Sequence, residues 1–254
     1  MTETACWVPE GSPMATFVIV HGAWSGPHAW RWVRPVLREA GHDVFTPALT
    51  GLGERAHLAA PTTDLDTHVQ DVLAVLHYED LRDVVLVGHS YGGMVITGVA
   101  DQTGDRLAQL VYLDADVPLD GECELDLVPL DERRQYEEAA RSQGDGWRIP
   151  PPFPDVLPPG TDPTVAWVVA RMVPHPLRTL TQPLRLTGRQ PSAATRTYIH
   201  CTEGKDGTEQ PPYVRRVADD PGWRFIQLQA SHIAHVMAPD TLAAALLDLV
   251  GPEP

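Results

Sequence analysis

Gly88-His89-Ser90-Tyr91-Gly92 places a serine between two glycines, directly after the aliphatic run Val84–Val87 and just before Met94-Val95-Ile96. A serine hydroxyl is a poor nucleophile until a base takes its proton and fixed donors receive the charge that develops on the substrate. The G-x-S-x-G pattern by itself occurs by chance, and a plain strand-to-helix turn is the bland alternative. An apolar strand before it and a helix after it are the setting of a nucleophile elbow, where the turn strains the serine backbone and glycines make room. The first amides of the following helix then lie beside the hydroxyl, at an end that favours negative charge. A second amide should come from the loop after an earlier strand, where His21-Gly22-Ala23 follows Val20. The backbone N–H groups of Ala23 and Tyr91 are therefore the expected oxyanion donors.

With these residues in place the chain resembles the α/β-hydrolase superfamily, and within it the plant-type methyl esterases and hydroxynitrile lyases with their bacterial esterase relatives. The stretches that carry the resemblance are FVIVHGAWSGPHAW, ALTGLGERAHL, VVLVGHSYGG, RTYIHCTEGK and ASHIAHVMAP, spread over nearly the whole length. In that family the base lies in a loop after the last strand, seven residues before a proline that starts the final helix; His232 and Pro239 have that spacing. His235 is the rival. His89 and His21 are expected to be structural, because the turn aims them away from the Ser90 hydroxyl.

A triad also needs a carboxylate to hold the imidazole tautomer and stabilise its charged form. The family commonly carries it in a Thr-Glu-Asp-Lys segment, and here the segment reads Thr202-Glu203-Gly204-Lys205. Either Glu203 or Asp206 swings in, or the acid has moved, or the site works as a dyad. Asp114, at the end of LVYLDADVP, is the preferred acid, as in lipases of the pancreatic type, with Glu203 as the alternative. Neighbouring strand ends are only about 5 Å apart, so a carboxylate on either can reach one histidine loop. Asp114 could equally cap a turn, as could Asp116 or Asp120.

A serine in the nucleophile slot speaks for acyl transfer on a small-molecule carboxylic ester, with no cofactor and no metal. The resembled lyases have a threonine after the first-loop histidine and a lysine after the base; Gly22 and Ile233 stand there instead, which disfavours cyanohydrin cleavage. Gly22, Trp24, Trp147, Phe153 and Trp167 are candidates for an apolar or aromatic substrate pocket, with Trp30 beside them; core packing is the competing role for each tryptophan. A non-hydrolytic member of the fold, a small-molecule receptor or a cofactor-free cyclase or oxygenase, is the second reading, favoured by the irregular acid.

The elements that must position these groups alternate. TFVIV, DVFTPAL, DVVLVGHS and LAQLVYLDADVP read as strands; WRWVRPVLREAGH, DLDTHVQDVLAVLHYE and MVITGVADQT read as helices between and after them, with Asp64 or Asp66 as an N-cap. This predicts an α/β class fold, a mostly parallel doubly wound sheet with helices on both faces. Residues 1–117 and 192–254 form the expected core. Between them, residues 118–191 hold 13 of the 25 prolines and read as an inserted cap, a disordered linker being the alternative. TRTYIHCT, WRFIQLQ and APDTLAAALLDLV resume the strand and helix pattern.

Bulk composition bounds the rest. At 254 residues and 43% hydrophobic content the chain can bury one large core, and its apolar runs are too short for a membrane span. A net charge of −15 disfavours nucleic acid and anionic membranes as partners. Cys6, Cys123 and Cys201 are widely spaced, which argues against a disulfide framework or a zinc site and suits a cytoplasmic location. Residues 1–13 lack the pattern of an export signal and read as a loose extension or an upstream start before Met14. Oligomeric state is not legible.

Overall fold

Continuous apolar strands need cover on both faces, and the way they receive it explains the architecture. The computed structural model describes residues 14–103, 105–153, 156–188, 194–205 and 210–251. Residues 1–13 with Cys6, Asp206, and residues 189–191 of the proline-rich stretch lie outside them. The strands are β1 (Thr16–Val20), β2 (Asp43–Phe45), β3 (Val84–His89), β4 (Leu107–Leu113), the short β5 (Arg148–Ile149) and β6 (His175–Pro176), β7 (Thr195–Cys201) and β8 (Trp223–Leu228). Six of them form one sheet in the order β2-β1-β3-β4-β7-β8, every pair parallel.

Side chains alternate across a strand, so each strand feeds two cores. Phe17, Ile19, Val85, Val87, Val111 and Leu113 face one cluster, which Val33 and Leu37 of α1 (Val33–Glu39) and Leu242 and Leu246 of the C-terminal helix (Pro239–Leu247) complete. Val18, Val20, Val84, Leu86, Leu110 and Tyr112 face the other, covered by α2 (Leu65–Tyr78) and α3 (Gly92–Thr103). Asp64 caps α2: its carboxylate accepts from the Thr67 amide and hydroxyl, and the Thr67 hydroxyl accepts from the Asp64 amide. The sheet is thus the parallel, two-faced layer that the sequence pattern predicts.

From β1 the chain moves outward to β2, then returns to the other side of β1 as β3 and continues through β4. Between β1 and β3 the winding reverses direction. Loops leaving the carboxyl ends of two such strands diverge and leave a crevice, which is where open α/β sheets bind ligands. Here those loops begin with His21 and Ser90.

Between β4 and β7 the chain forms α4 (Glu124–Leu127), α5 (Leu130–Gln143), α6 (Pro163–Val169) and α7 (Leu177–Thr181), and β5 pairs antiparallel with β6. Except for the 14-residue α5, which contains no proline, these elements are short, as proline at this density requires. Two more helices, α8 (Pro212–Asp219) and α9 (Ala234–Met237), flank β8 before the C-terminal α10 (Pro239–Leu247).

Candidate active site

Ser90 has φ +53°, in the left-handed region that non-glycine residues seldom occupy. The elbow is held from both sides: the Ser90 carbonyl accepts from the Gly93 amide at 2.9 Å and from the Asp116 amide at 3.2 Å. Glycine is required at position 92, since a Cβ there would lie 2.7 Å from the Val20 carbonyl oxygen. At Gly22 a Cβ would press on the Ser90 Cβ at 3.1 Å and the His89 ring at 3.0 Å. These close approaches let the first loop lie against the serine.

Trp24 shows how that loop is anchored. Its φ is +58°, and three hydrogen bonds tie it to the inserted segment: its amide donates to His175 Nδ1 at 3.1 Å, its indole N–H to the Ile149 carbonyl at 3.0 Å, and its carbonyl accepts from the Val173 amide at 3.0 Å. The β5–β6 pair therefore clamps the residue next to Ala23. Neither the Ala23 nor the Tyr91 amide donates to any described residue. Tyr91's side chain is fully buried, its hydroxyl donating to His68 Nδ1 at 2.9 Å while His68 Nε2 donates to the Thr50 carbonyl.

His232 Nδ1 donates to Asp114 Oδ2 at 2.8 Å. Asp114 sits just past β4 with φ +43°, and its backbone amide donates to the Ile199 carbonyl of β7 at 2.8 Å. Because β4 and β7 are adjacent, the Cys201 amide at the end of β7 donates to Asp114 Oδ1 at 3.2 Å. Lys205 Nζ then bridges both carboxylate oxygens, at 2.6 and 2.8 Å. Burial would raise the pKa of Asp114, but the hydrogen bonds and charges of His232 and Lys205 outweigh it and hold the carboxyl well below the usual carboxylate range. Glu203 makes no hydrogen bond to His232; its amide donates to Ala230.

The other histidines are packed. His89 is buried, and its Nε2 donates to the His232 carbonyl at 2.8 Å, tying the last loop to the elbow. Burial, then the neighbouring His232, lowers its pKa to about 3. His21 Nδ1 donates to the Gly22 carbonyl, its Nε2 accepts from the Leu49 amide, and burial lowers its pKa to about 3. His235 is stacked on Trp30 with ring centroids 4.7 Å apart.

Ser90, Asp114 and His232 line one cavity of about 380 Å³, together with Gly22, Ala23 and Trp24. About half of the His232 side chain is exposed. The inserted segment contributes apolar wall through Val128, Tyr136, Phe153, Val168, Met172 and Leu180. Of the aromatic residues singled out in the sequence, Trp24 and Phe153 line this cavity. Trp147 and Trp167 do not: the Arg148 guanidinium covers Trp147, and Trp167 carries the guanidinium groups of Arg31 and Arg171 and meets Trp32 edge-on. Trp30 is wholly buried in the core. Aromatic type alone carries no orientation, so the sequence could not sort them.

Sequence reasoning missed several groups. Lys205 was visible as the last residue of Thr-Glu-Gly-Lys, and its retention beside a lost carboxylate was the signal. Three further acids line the cavity, Asp116, Glu124 and Glu132, with Tyr136 and Tyr213 beside them. Among the described residues no cluster suited to hold a metal ion is present, and no helix is long and apolar enough to cross a membrane.

Known proteins similar to this chain are esterases and other hydrolases. The chain is 39% identical over 246 residues to a carbendazim hydrolyzing esterase of Nocardioides sp. (strain SG-4G), covering 93% of this chain and all of that one. It is 27% identical to a methylesterase of Arabidopsis thaliana over 76% of this chain and 81% of the relative. Among solved structures, an extracellular alpha/beta-hydrolase from a Paenibacillus species, described as sharing structural and functional homology with tobacco salicylic acid binding protein 2, superposes with a TM-score of 0.81. It has 26% identity over 95% of this chain and 100% of its own. The alpha/beta hydrolase family matches residues 17–245, and the chain belongs to that family.

Proposed function

We propose that the protein is a serine hydrolase that cleaves a small-molecule carboxylic ester through an acyl-enzyme on Ser90. The observation that carries this reading is the hydrogen bond from His232 Nδ1 to Asp114. A carboxylate accepts only, so the proton sits on Nδ1 and the lone pair on Nε2 is free to take the Ser90 proton. Ser90 Oγ attacks the ester carbonyl, His232 accepts its proton, and the Ala23 and Tyr91 amides stabilise the oxyanion. The intermediate collapses as imidazolium His232 protonates the departing alcohol. Water, deprotonated by His232, then releases the acid and restores the serine.

The esterase relatives support an ester substrate, and the cavity walls support an apolar or aromatic one. Residues 118–191 act as the cap that shapes specificity, since Val128, Tyr136, Phe153, Val168, Met172 and Leu180 come from them. The hydrogen bond of His232 to Asp114 supports the hydrolase over the non-hydrolytic reading, which the irregular acid segment favoured. Ile233 lines the cavity where the resembled lyases have lysine, which supports hydrolysis over cyanohydrin cleavage. Two free buried cysteines, Cys123 and Cys201, fit a reducing cytoplasm.

A fluorophosphonate probe together with p-nitrophenyl acetate tests the proposal. Wild type is expected to label and turn over, and Ser90→Ala to do neither. Wild-type protein that neither labels nor hydrolyses any ester would overturn it.

A further inference from the structure

The charge in the cavity is one-sided. Asp116, Glu124 and Glu132 line it, no Lys or Arg does, and among the described residues none of these three acids takes part in an ion pair. Asp114, the fourth acid, already has Lys205 and His232. Asp116 and Glu124 are each only 8% exposed. They adjoin one another, with Tyr213 beside Asp116; burial pushes both carboxyl groups up, and the neighbouring Asp116 adds to the rise at Glu124, so the pair holds on to a proton. Burying acids without a cation is unfavourable, and such groups persist where a ligand completes them.

Unmet hydrogen-bonding capacity points the same way. Independently of the acids, Ser25, also 8% exposed and part of the cavity wall, has an Oγ with no partner. Aromatic side chains share the wall with the carboxylates: the Tyr136 hydroxyl donates to Glu132 at 2.5 Å, and its ring packs 5.4 Å from that of Trp24. Carboxylate acceptors beside aromatic rings suit a cationic nitrogen, which gains both a charge-assisted hydrogen bond and a contact with the ring face.

We propose that the Asp116–Glu124–Glu132 wall, with Tyr136 and Trp24, recognises a positively charged nitrogen on the substrate, so that the enzyme prefers esters bearing an ammonium or amidinium group and rejects those bearing a carboxylate. The inference rests on the ester-hydrolase reading for turnover, while its binding arm stands apart from it. The arrangement leaves the triad free, because Lys205 neutralises Asp114 separately.

Two measurements test it. In the first, benzamidine, benzamide and benzoate are titrated into Ser90→Ala by calorimetry; benzamidine is expected to bind roughly tenfold tighter than benzamide, and benzoate weakest. Equal affinities, or benzoate the tightest, would overturn the proposal whether or not the wild type is a hydrolase. In the second, kcat/KM is measured for methyl benzoates and phenyl acetates carrying a para aminomethyl, methyl or carboxylate group. The aminomethyl compound is expected to lead in at least one series by about tenfold, with the carboxylate last. Glu132→Gln and Glu124→Gln are each expected to lower the ratio of cationic to neutral turnover; a ratio unchanged in both variants overturns the assignment. Absence of turnover for every ester would fault the hydrolase reading alone, leaving the benzamidine titration to decide this one.

Discussion

Asp114 and Asp116 stand two residues apart at the end of the same strand, both 8% exposed, and their carboxyl groups are driven in opposite directions. Asp114 meets Lys205, His232 and the Cys201 amide, and its pKa falls. Asp116 has no such cation against it, and burial, only partly offset by its hydrogen bonds with Glu124 and Tyr213, raises its pKa. Burial is common to both; what differs is whether a lysine and the triad imidazole lie close enough to outweigh it. One residue type thereby serves two tasks in one cavity, a permanent anion beside the histidine and a proton-sharing wall. The histidines around the elbow belong with the second kind, buried without a counter-ion and kept neutral.

The largest effect should come from breaking the compensated side. Asp114→Asn is expected to lower kcat about 10⁴-fold by losing the anion and the tautomer it selects, while Glu203→Gln stays near wild type. Steady-state rates with p-nitrophenyl acetate check this, and the reverse pattern would move the acid to Glu203.

Next in size is the response of the uncompensated histidines to acid. His21 and His89 have pKa values near 3 and His68 near 4, below an unfolded value of 6.5, chiefly because of burial. Between those values and 6.5 the unfolded chain binds more protons than the folded one, so their contribution is complete above pH 6.5 and is lost as pH falls. Each contributes a slope of about 1.4 kcal/mol per pH unit, together about 4 kcal/mol per unit. Urea unfolding midpoints should drop sharply from pH 6.5 to 5.5, and a flat profile would contradict neutral burial.

Smaller still is removal of the lysine. Lys205→Met should lower kcat about tenfold with little change in KM, since Asp114 keeps His232 and the Cys201 amide but loses its bridging cation. A loss as deep as that of Asp114→Asn would mean that the lysine, not the imidazole, organises the carboxylate.

The smallest change concerns the acid pair, whose sign is opposite to that of the histidines. A carboxyl raised in the folded state contributes stability below its unfolded pKa and loses it as pH rises. Glu124→Gln should therefore gain about 1 kcal/mol over wild type at pH 8 and little at pH 4, read from paired denaturation curves.

Local features were legible before any coordinates. The elbow is written within ten residues, because strand, turn and helix are consecutive and the steric need for Gly92 arises from β1 directly beside it. A cap at Asp64 or Asp66 and the continuous apolar strands are equally local. Cavity membership was not: Trp24 and Trp147 are the same residue type in similar loops, yet one is held at the cavity by three hydrogen bonds and the other is covered by Arg148.

The sequence by itself determined the fold class, the bend that presents Ser90, and a short set of carboxylates able to serve a histidine. Tertiary structure decided which one does. Asp114 lies 118 residues from His232 and 91 from Lys205, and only the side-by-side order of β4, β7 and β8 brings the three together. Backbone propensity acts over a few residues, whereas the strength of a charge depends on every group that the folded chain packs around it.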